Sequence, residues 1–110
     1  MKLIVELIIR AFILLLTTYL VPGFHIQSYT SALIVAIVLA ILNVLLKPLL
    51  LLLTLPLTIL TLGLFTFVIN AILLLIAANI VKGFTIDSFM TAIIASIVIT
   101  LLSAVINAFL

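Results

Sequence analysis

Residues 21–28 read VPGFHIQS, and residues 81–88 read VKGFTIDS. The shared pattern Gly-Phe-x-Ile-x-Ser thus occurs twice, sixty positions apart, in a chain that is 70% hydrophobic. A hydrophobic composition produces chance matches of leucine and isoleucine, but it does not produce this pattern in register. The pattern therefore indicates that a unit of helix, Gly-Phe loop and helix is repeated along the chain.

The composition places the chain in a membrane. Only 5% of its 110 residues are charged, whereas soluble domains carry about 25% charged residues and about 45–50% apolar residues. The net charge of +2 rests on four basic and two acidic side chains, which is too little for a nucleic-acid-binding surface. The absence of cysteine excludes disulfides, thiolate metal sites and cysteine nucleophiles.

Several segments are long and apolar enough to cross a bilayer. A helix needs about 20 apolar residues, at about 1.5 Å each, to cross a hydrocarbon core of about 30 Å. The sequence therefore predicts an all-α integral membrane protein of about four transmembrane helices. The predicted spans are residues 3–20, 31 to about 46, about 57 to 81, and 89–110.

The central apolar segment, residues 48–60, is interrupted by Pro48 and Pro56. Proline removes an amide donor and clashes with the preceding turn, so a regular helix does not continue through these positions. Either two long helices are kinked at Pro48 and joined near Pro56, or the segment is re-entrant and its non-helical backbone is shielded from lipid. We favour kinked helices, in one transmembrane domain whose repeats cover about residues 1–48 and 61–110.

The repeat predicts the orientation of both halves. Each repeat holds two spans, an even number, so both halves enter the membrane from the same side, unlike the inverted repeats of many transporters. In this four-span arrangement Lys2, Arg10 and Lys47 lie on one side and Lys82 on the other. Because basic residues favour the cytoplasm, we expect cytoplasmic termini and both Gly-Phe loops outside.

The Gly-Phe loops have the residues of helix ends. Gly23 and Gly83 follow an apolar helix, where glycine readily adopts the left-handed conformation that closes a helix. Phe24 and Phe84 come next, near the lipid headgroups, and the serine that ends each motif is placed to cap the following helix. We interpret the motif as a duplicated turn, and a ligand-binding loop is the alternative.

Small and polar residues follow one face of the second and fourth spans. Such residues let helices approach closely and form hydrogen bonds between helices. We expect this stripe to mark the bundle interior and, on the fourth span, to contact another helix, within the chain or between copies, rather than water. Its members are Ala32, Ala36, Ala40, Asn43 and Lys47 and, sixty positions later, Ala92, Ser96, Thr100, Ser103 and Asn107.

A second polar stripe lies on the first and third spans. Glu6 and Arg10 are four residues apart on the first span, the spacing at which an acid and a base meet on a helix. Asn70 occupies the position sixty residues after Arg10. We interpret Glu6 and Arg10 as a paired or snorkelling couple near the membrane interface, because each unpaired charge costs up to about 3 kcal/mol at the bilayer centre, and a gating or ligand contact is the alternative.

The chain also resembles a known family of small bacterial membrane proteins. It is similar to the phage holin superfamily IV, or YvlD-like proteins, over essentially its whole length. The second loop differs from the first in having Lys82 where Pro22 stands, which weakens their equivalence. Between the two Gly-Phe loops, the resemblance rests on Asn43, Leu46-Lys47-Pro48, LTLPLT at 53–58 with Pro56, LTLGLF at 60–65 with Gly63, and Ile69-Asn70-Ala71.

The resemblance implies a holin-like function but leaves alternatives open. The protein could oligomerise with copies of itself and permeabilise the membrane. It could instead be a non-lytic envelope-stress or membrane-organising accessory that acts through an envelope protein partner. A small-solute channel or transporter is less favoured, because only Asn70, Thr100 and Ser103 offer polar groups near the midplane. Its partners are then the lipid bilayer and proteins, and no nucleic acid.

The sequence offers little for catalysis. His25 is the one histidine, and the acids Glu6 and Asp87 fall at opposite membrane faces, so they do not form a general acid/base pair. The chain has no phosphate-binding loop, G-x-S-x-G elbow or H-E-x-x-H motif. We expect no enzymatic activity, no cofactor and no metal site.

Overall fold

The computed structural model describes residues 2–61 and 63–109. This part of the chain is mostly helical, with four long helices and two short helices between its halves. Two short strands follow the first and the third long helix. The elements in order are α1 (Lys2–Leu20), β1 (Phe24–Ile26), α2 (Tyr29–Leu45), α3 (Lys47–Leu53), α4 (Leu55–Leu60), α5 (Phe65–Ile80), β2 (Phe84–Ile86) and α6 (Phe89–Phe109).

The four long helices pack as a ring. Helix α1 contacts α2 and α6, and helix α5 contacts the same two neighbours. Within the described residues, neither diagonal pair, α1 with α5 or α2 with α6, approaches within 8 Å between Cα atoms. Small buried residues such as Ala11, Ala36, Ala77 and Ala95 allow close packing around the ring.

The two Gly-Phe loops pair with each other as an antiparallel sheet. The backbone N–H of Gln27 donates to the carbonyl of Gly83 over 2.8 Å, and that of Asp87 donates to the carbonyl of Gly23 over 2.9 Å. The all-α prediction missed this sheet, because three-residue strands carry no periodic signal of their own. The paired residues are Phe24 with Ile86, His25 with Thr85, and Ile26 with Phe84.

The glycine and serine features predicted for the loops are confirmed, whereas Phe24 and Phe84 are buried in the core and do not face the lipid headgroups. Gly23 and Gly83 have φ angles of +87° and +85°, in the left-handed region. The Ser28 hydroxyl accepts a hydrogen bond from the backbone N–H of Ser31 over 3.2 Å at the start of α2. Ser88 does the same for Thr91 over 3.1 Å at the start of α6. Both halves therefore end one helix and begin the next by the same means.

The central apolar segment is helical, but it forms two short helices. Helices α2 and α3 meet at an angle of 46°, and Pro48 and Pro56 lie in the first turns of α3 and α4, where proline costs no intrahelical hydrogen bond. The predicted start of the third span near residue 57 is wrong. Helix α5 begins at Phe65, because Gly63 interrupts the chain with a φ of +89°.

The lengths of the described helices fit a membrane protein. Helices α1 and α6 are long and apolar enough to cross a bilayer, and the bent pair α2 and α3 reaches that length together. Helix α5 is apolar but shorter, with 16 residues. By length and composition, the structure thus contains two candidate spans, or three when the bent pair is counted.

Candidate functional site

A cavity of about 420 Å³ lies inside the ring of long helices, and we call it the chamber. It arises because the diagonal helices stand apart, so their side chains do not fill the axis of the bundle. All four long helices and α3 contribute to its wall. The lining residues are Glu6, Ile9, Arg10, Ile13, Leu14, Ala36, Leu39, Asn43, Lys47, Asn70, Leu73, Leu74, Ser96, Ile99, Thr100, Ser103 and Asn107.

The chamber has an apolar end and a polar end. The end toward the sheet is formed by buried side chains, including Ile13, Leu14 and Leu73, which are 3%, 2% and 1% exposed. The opposite end carries Glu6, near the start of α1, and Asn107, near the end of α6. The chamber therefore opens at the end of the bundle where the chain termini and α3 lie.

Two aromatic rings fill the bundle beneath the sheet. Phe24 and Phe84 are 0% and 1% exposed, and their ring centroids are 5.1 Å apart in an edge-to-face arrangement. Val21 and Val81 pack in the same core. Because this core is closely packed, the chamber is closed toward the sheet.

The structure brings together most of the polar residues singled out in the sequence. The other candidates lie elsewhere: Gly23, Phe24, Gly83 and Phe84 belong to the sheet and its core, and Pro48, Pro56 and Gly63 belong to the central helices and the turn after them. The candidates that line the chamber are Glu6, Arg10, Asn43, Lys47, Asn70, Ser96, Thr100, Ser103 and Asn107.

The polar stripe on α6 has two different environments. Ser96 is buried, and its hydroxyl donates to the carbonyl of Phe67 on α5 over 3.2 Å and to that of Ile93 over 2.8 Å, which is a helix contact as predicted. Thr100 and Asn107 are exposed and line the chamber, so no other described helix of the chain covers them, and a contact with a second copy stays a prediction. The Thr100 hydroxyl donates to the carbonyl of Ser96 within α6 over 2.8 Å.

The predicted pair of Glu6 and Arg10 does not form. Within residues 2–61 and 63–109, neither side chain has an ion-pair or hydrogen-bond partner. Both are exposed side chains on one face of α1 that reach the polar end of the chamber. Each charged side chain is therefore accessible from the open end of the chamber.

A smaller cavity of about 160 Å³ lies between α1 and α2, and we call it the lateral slot. It shares Glu6, Arg10 and Asn43 with the chamber, so the two cavities meet at these side chains. The sequence analysis did not predict the slot. It identified Ala40 on α2 only as a small residue of the stripe, and a small side chain also leaves space where no neighbouring side chain fills it. Its remaining wall is apolar and consists of Leu3, Leu7, Ala40 and Val44.

The loop histidine has no role at the chamber. His25 is exposed in the sheet opposite Thr85, at the other end of the bundle. In the part of the chain that the structure describes, no three histidine, aspartate or glutamate side chains come together as a metal site would require. The chemistry available to the chamber is therefore that of its charged groups, amides and hydroxyls.

Comparison with known proteins identifies the family. The chain is 44% identical over 97 residues to the uncharacterized membrane protein YvlD of Bacillus subtilis (strain 168), covering 87% of this chain and 82% of that protein. It is 42% identical over 88 residues to the uncharacterized protein SCO3922 of Streptomyces coelicolor, covering 76% of this chain and 70% of that one. No solved structure shows a significant match. Residues 1–105 match the family model described as mycobacterial 4 TMS phage holin, superfamily IV, and the chain therefore belongs to this holin-like family of membrane proteins.

Proposed function

We propose that the protein is a non-lytic member of its family, a membrane bundle that keeps its polar groups inside one chain and assists another component of the cell envelope without catalysis. The observation that carries this proposal is the chamber, on which charged, amide and hydroxyl side chains from all four long helices converge. The chamber is closed toward the sheet by Phe24 and Phe84. An intact bundle of this kind does not leak.

The outer faces of the bundle support the same proposal. If several copies of the chain surrounded a water-filled hole, the side chains on the outer surface of each bundle would line that hole. Those side chains would have to be polar, since polar groups in a membrane lie where they meet water or protein. The outward positions of this bundle are instead large and apolar, which suits contact with lipid. They include Ile4, Ile8, Phe12, Ile34, Ile37, Ile41, Leu101 and Val105.

We further propose that the two halves are parallel repeats in the inner membrane, with both termini and the polar end of the chamber toward the cytoplasm. The halves contain the same succession of helix, strand and helix, and the strands begin sixty residues apart at Phe24 and Phe84. Their antiparallel register is symmetric about His25 and Thr85. Lys2 and Lys47 stand at the chamber's end, in keeping with the preference of basic residues for the cytoplasm.

Cysteine labelling tests this orientation, because the chain has no cysteine of its own. His25→Cys and Thr85→Cys, each as a single change, are expected to react with a membrane-impermeant maleimide added outside intact cells. Asn107→Cys is expected to react only after the membrane is permeabilised. Labelling at only one of positions 25 and 85 would contradict the parallel repeat.

The same two positions test the strand pairing. Directly opposed residues of antiparallel strands have Cα atoms about 4.5–5.5 Å apart, within the range that a disulfide spans. The double variant of His25→Cys and Thr85→Cys is therefore expected to form an intramolecular disulfide on mild oxidation. The control pairs His25→Cys with Lys82→Cys, whose position lies outside the strand register. Equal cross-linking in both double variants would argue against the sheet.

Growth and membrane potential test the non-lytic function. Production of the full chain in bacteria is expected to leave the membrane potential, followed with a voltage-sensitive dye, equal to that of cells carrying an empty vector. Purified protein in liposomes is expected to retain an entrapped fluorescent dye. Collapse of the potential together with dye release would overturn the proposal.

Permeabilisation by homo-oligomers is the second candidate, and one observation favours it. Polar residues stand on each half of the bundle, with Arg10 and Asn43 in the first and Asn70 and Ser103 in the second. If the halves separated along the α1–α6 and α2–α5 contacts, several copies could line a hole with these faces. Dye release that rises steeply with protein density, together with chemical cross-links between copies, would support this candidate.

A further inference from the structure

We infer that the chamber and the lateral slot together bind an anionic phospholipid, with the phosphate at Arg10 and Lys47 and an acyl chain leaving through the slot between α1 and α2. The inference deepens the proposed function and rests on it, because it requires the chamber of an intact, closed bundle. It assigns a ligand class to a site that the family membership leaves without one.

The polar end of the chamber has the charge of an anion site. Arg10 and Lys47 line it with Glu6 as the single acid, so the wall carries one net positive charge. The guanidinium of arginine forms paired hydrogen bonds with phosphate oxygens, and the lysine ammonium adds a point charge. The carboxylate of Glu6 is placed to accept hydrogen bonds from headgroup hydroxyls.

Three of these side chains are available to a ligand. In the part of the chain that the structure describes, the side chains of Arg10, Asn43 and Lys47 make no hydrogen bond or ion pair. Asn43 and Lys47 are half-buried, and their polar atoms remain accessible at the wall of the open chamber, where a ligand can contact them. A bound phosphate would accept hydrogen bonds from all three side chains.

The bend between α2 and α3 turns the chain toward the chamber at Lys47. The two helices meet at 46°, and Pro48 in the first turn of α3 keeps Lys47 from continuing the line of α2. Lys47 therefore lines the chamber together with Arg10, which reaches it from α1. The phosphate site is thus built from two elements that the fold brings together.

The slot distinguishes a lipid from a free phosphate. Its wall joins the chamber at Glu6, Arg10 and Asn43, and the rest of the wall is apolar. Leu3 and Val44 on its rim are 64% and 72% exposed on the outer, lipid-facing surface of the bundle. A small ion needs no such apolar exit, whereas a phospholipid needs one for its acyl chain. The chamber, at about 420 Å³, also falls within the size range of small-molecule sites, about 300–1,000 Å³.

Native mass spectrometry of the full, detergent-solubilised chain tests the inference with phosphatidylglycerol and phosphatidylethanolamine as probes. We expect the intact protein to retain one phosphatidylglycerol molecule in preference to phosphatidylethanolamine. Arg10→Gln and Lys47→Gln are each expected to lower this retention roughly tenfold, the effect of losing one charge-assisted contact. Lys82→Gln, which removes an exposed lysine at the sheet end, is the matched control and is expected to change nothing.

Two further measurements distinguish a lipid headgroup from free inorganic phosphate as the ligand. One of them uses only the unmodified chain, so its result does not depend on whether a variant folds. Ala40→Phe fills the slot and is expected to reduce lipid retention, and millimolar inorganic phosphate is expected not to displace the lipid. Displacement by phosphate, or equal retention of the two lipids by the unmodified chain, would overturn the inference without any variant. Lipid retention is measured on purified protein, and a failure to retain lipid contradicts only this inference. Leakage of the membrane is measured separately, and it contradicts the proposed function.

Discussion

Phe84→Ala is expected to destabilise the bundle by about 3–5 kcal/mol, the usual cost of removing a fully buried phenylalanine. Phe84 is 1% exposed and meets Phe24 edge to face, with ring centroids 5.1 Å apart beneath the sheet. This loss is measured by unfolding the protein in mixed micelles with a rising fraction of denaturing detergent. The free energy of unfolding of the variant should be lower than that of the unmodified chain. It should also open the chamber toward the sheet, since this core closes that end.

The neighbouring residue provides the control. Thr85 is exposed in the same strand, so Thr85→Ala is expected to change the free energy of unfolding by less than about 0.5 kcal/mol. A double-mutant cycle with Phe24→Ala should give a coupling energy of about 0.5–1.5 kcal/mol, as for other aromatic pairs. A loss below about 1 kcal/mol for Phe84→Ala would mean that the two rings do not form the core of this end.

Gly83→Ala is expected to cost about 2–5 kcal/mol, from two separate causes. The φ of +85° disfavours any residue with a Cβ by about 1–2 kcal/mol. In addition, the new Cβ would lie 2.7 Å from Oε1 and 3.0 Å from Cβ of Gln27, and such overpacking costs about 1–3 kcal/mol more. Because Gln27 pairs with Gly83 through the backbone, relief of this contact would disturb the sheet itself.

Gly63 separates the two causes. Its φ is +89°, close to that of Gly83, but among the described residues other than its chain neighbours no heavy atom lies within 4 Å of the position of an added Cβ. Gly63→Ala is therefore expected to cost only the conformational part, about 1–2 kcal/mol. Equal losses of unfolding free energy in Gly63→Ala and Gly83→Ala would show that the contact with Gln27 contributes nothing.

The two proposals about function depend on different parts of the molecule. The non-lytic function depends on the closed end beneath the sheet, where Phe24 and Phe84 pack. The lipid site depends on the open end, where Arg10 and Lys47 line the chamber. A variant that opens the first end should thus affect leakage, while Lys47→Gln should affect lipid retention alone.

The sequence by itself determined the membrane class, the family and the local chain path. These depend on composition and on residues close together along the chain, such as Gly23 ending one helix and Ser28 capping the next. The polar residues that line the chamber were also visible, because a polar side chain is rare in an apolar span. Their sharing of one cavity was not visible.

Only the tertiary structure decided how these pieces meet. It paired the Gly-Phe loops as strands, placed Glu6 and Arg10 at the chamber without a contact between them, exposed Thr100 to the chamber and opened a slot beside Ala40. In a soluble bundle, hydrophobic periodicity distinguishes the buried face of a helix from the exposed face. In a membrane, the lipid-facing side is as apolar as the packed side, so the pattern does not state which helices adjoin or where the ring leaves a space.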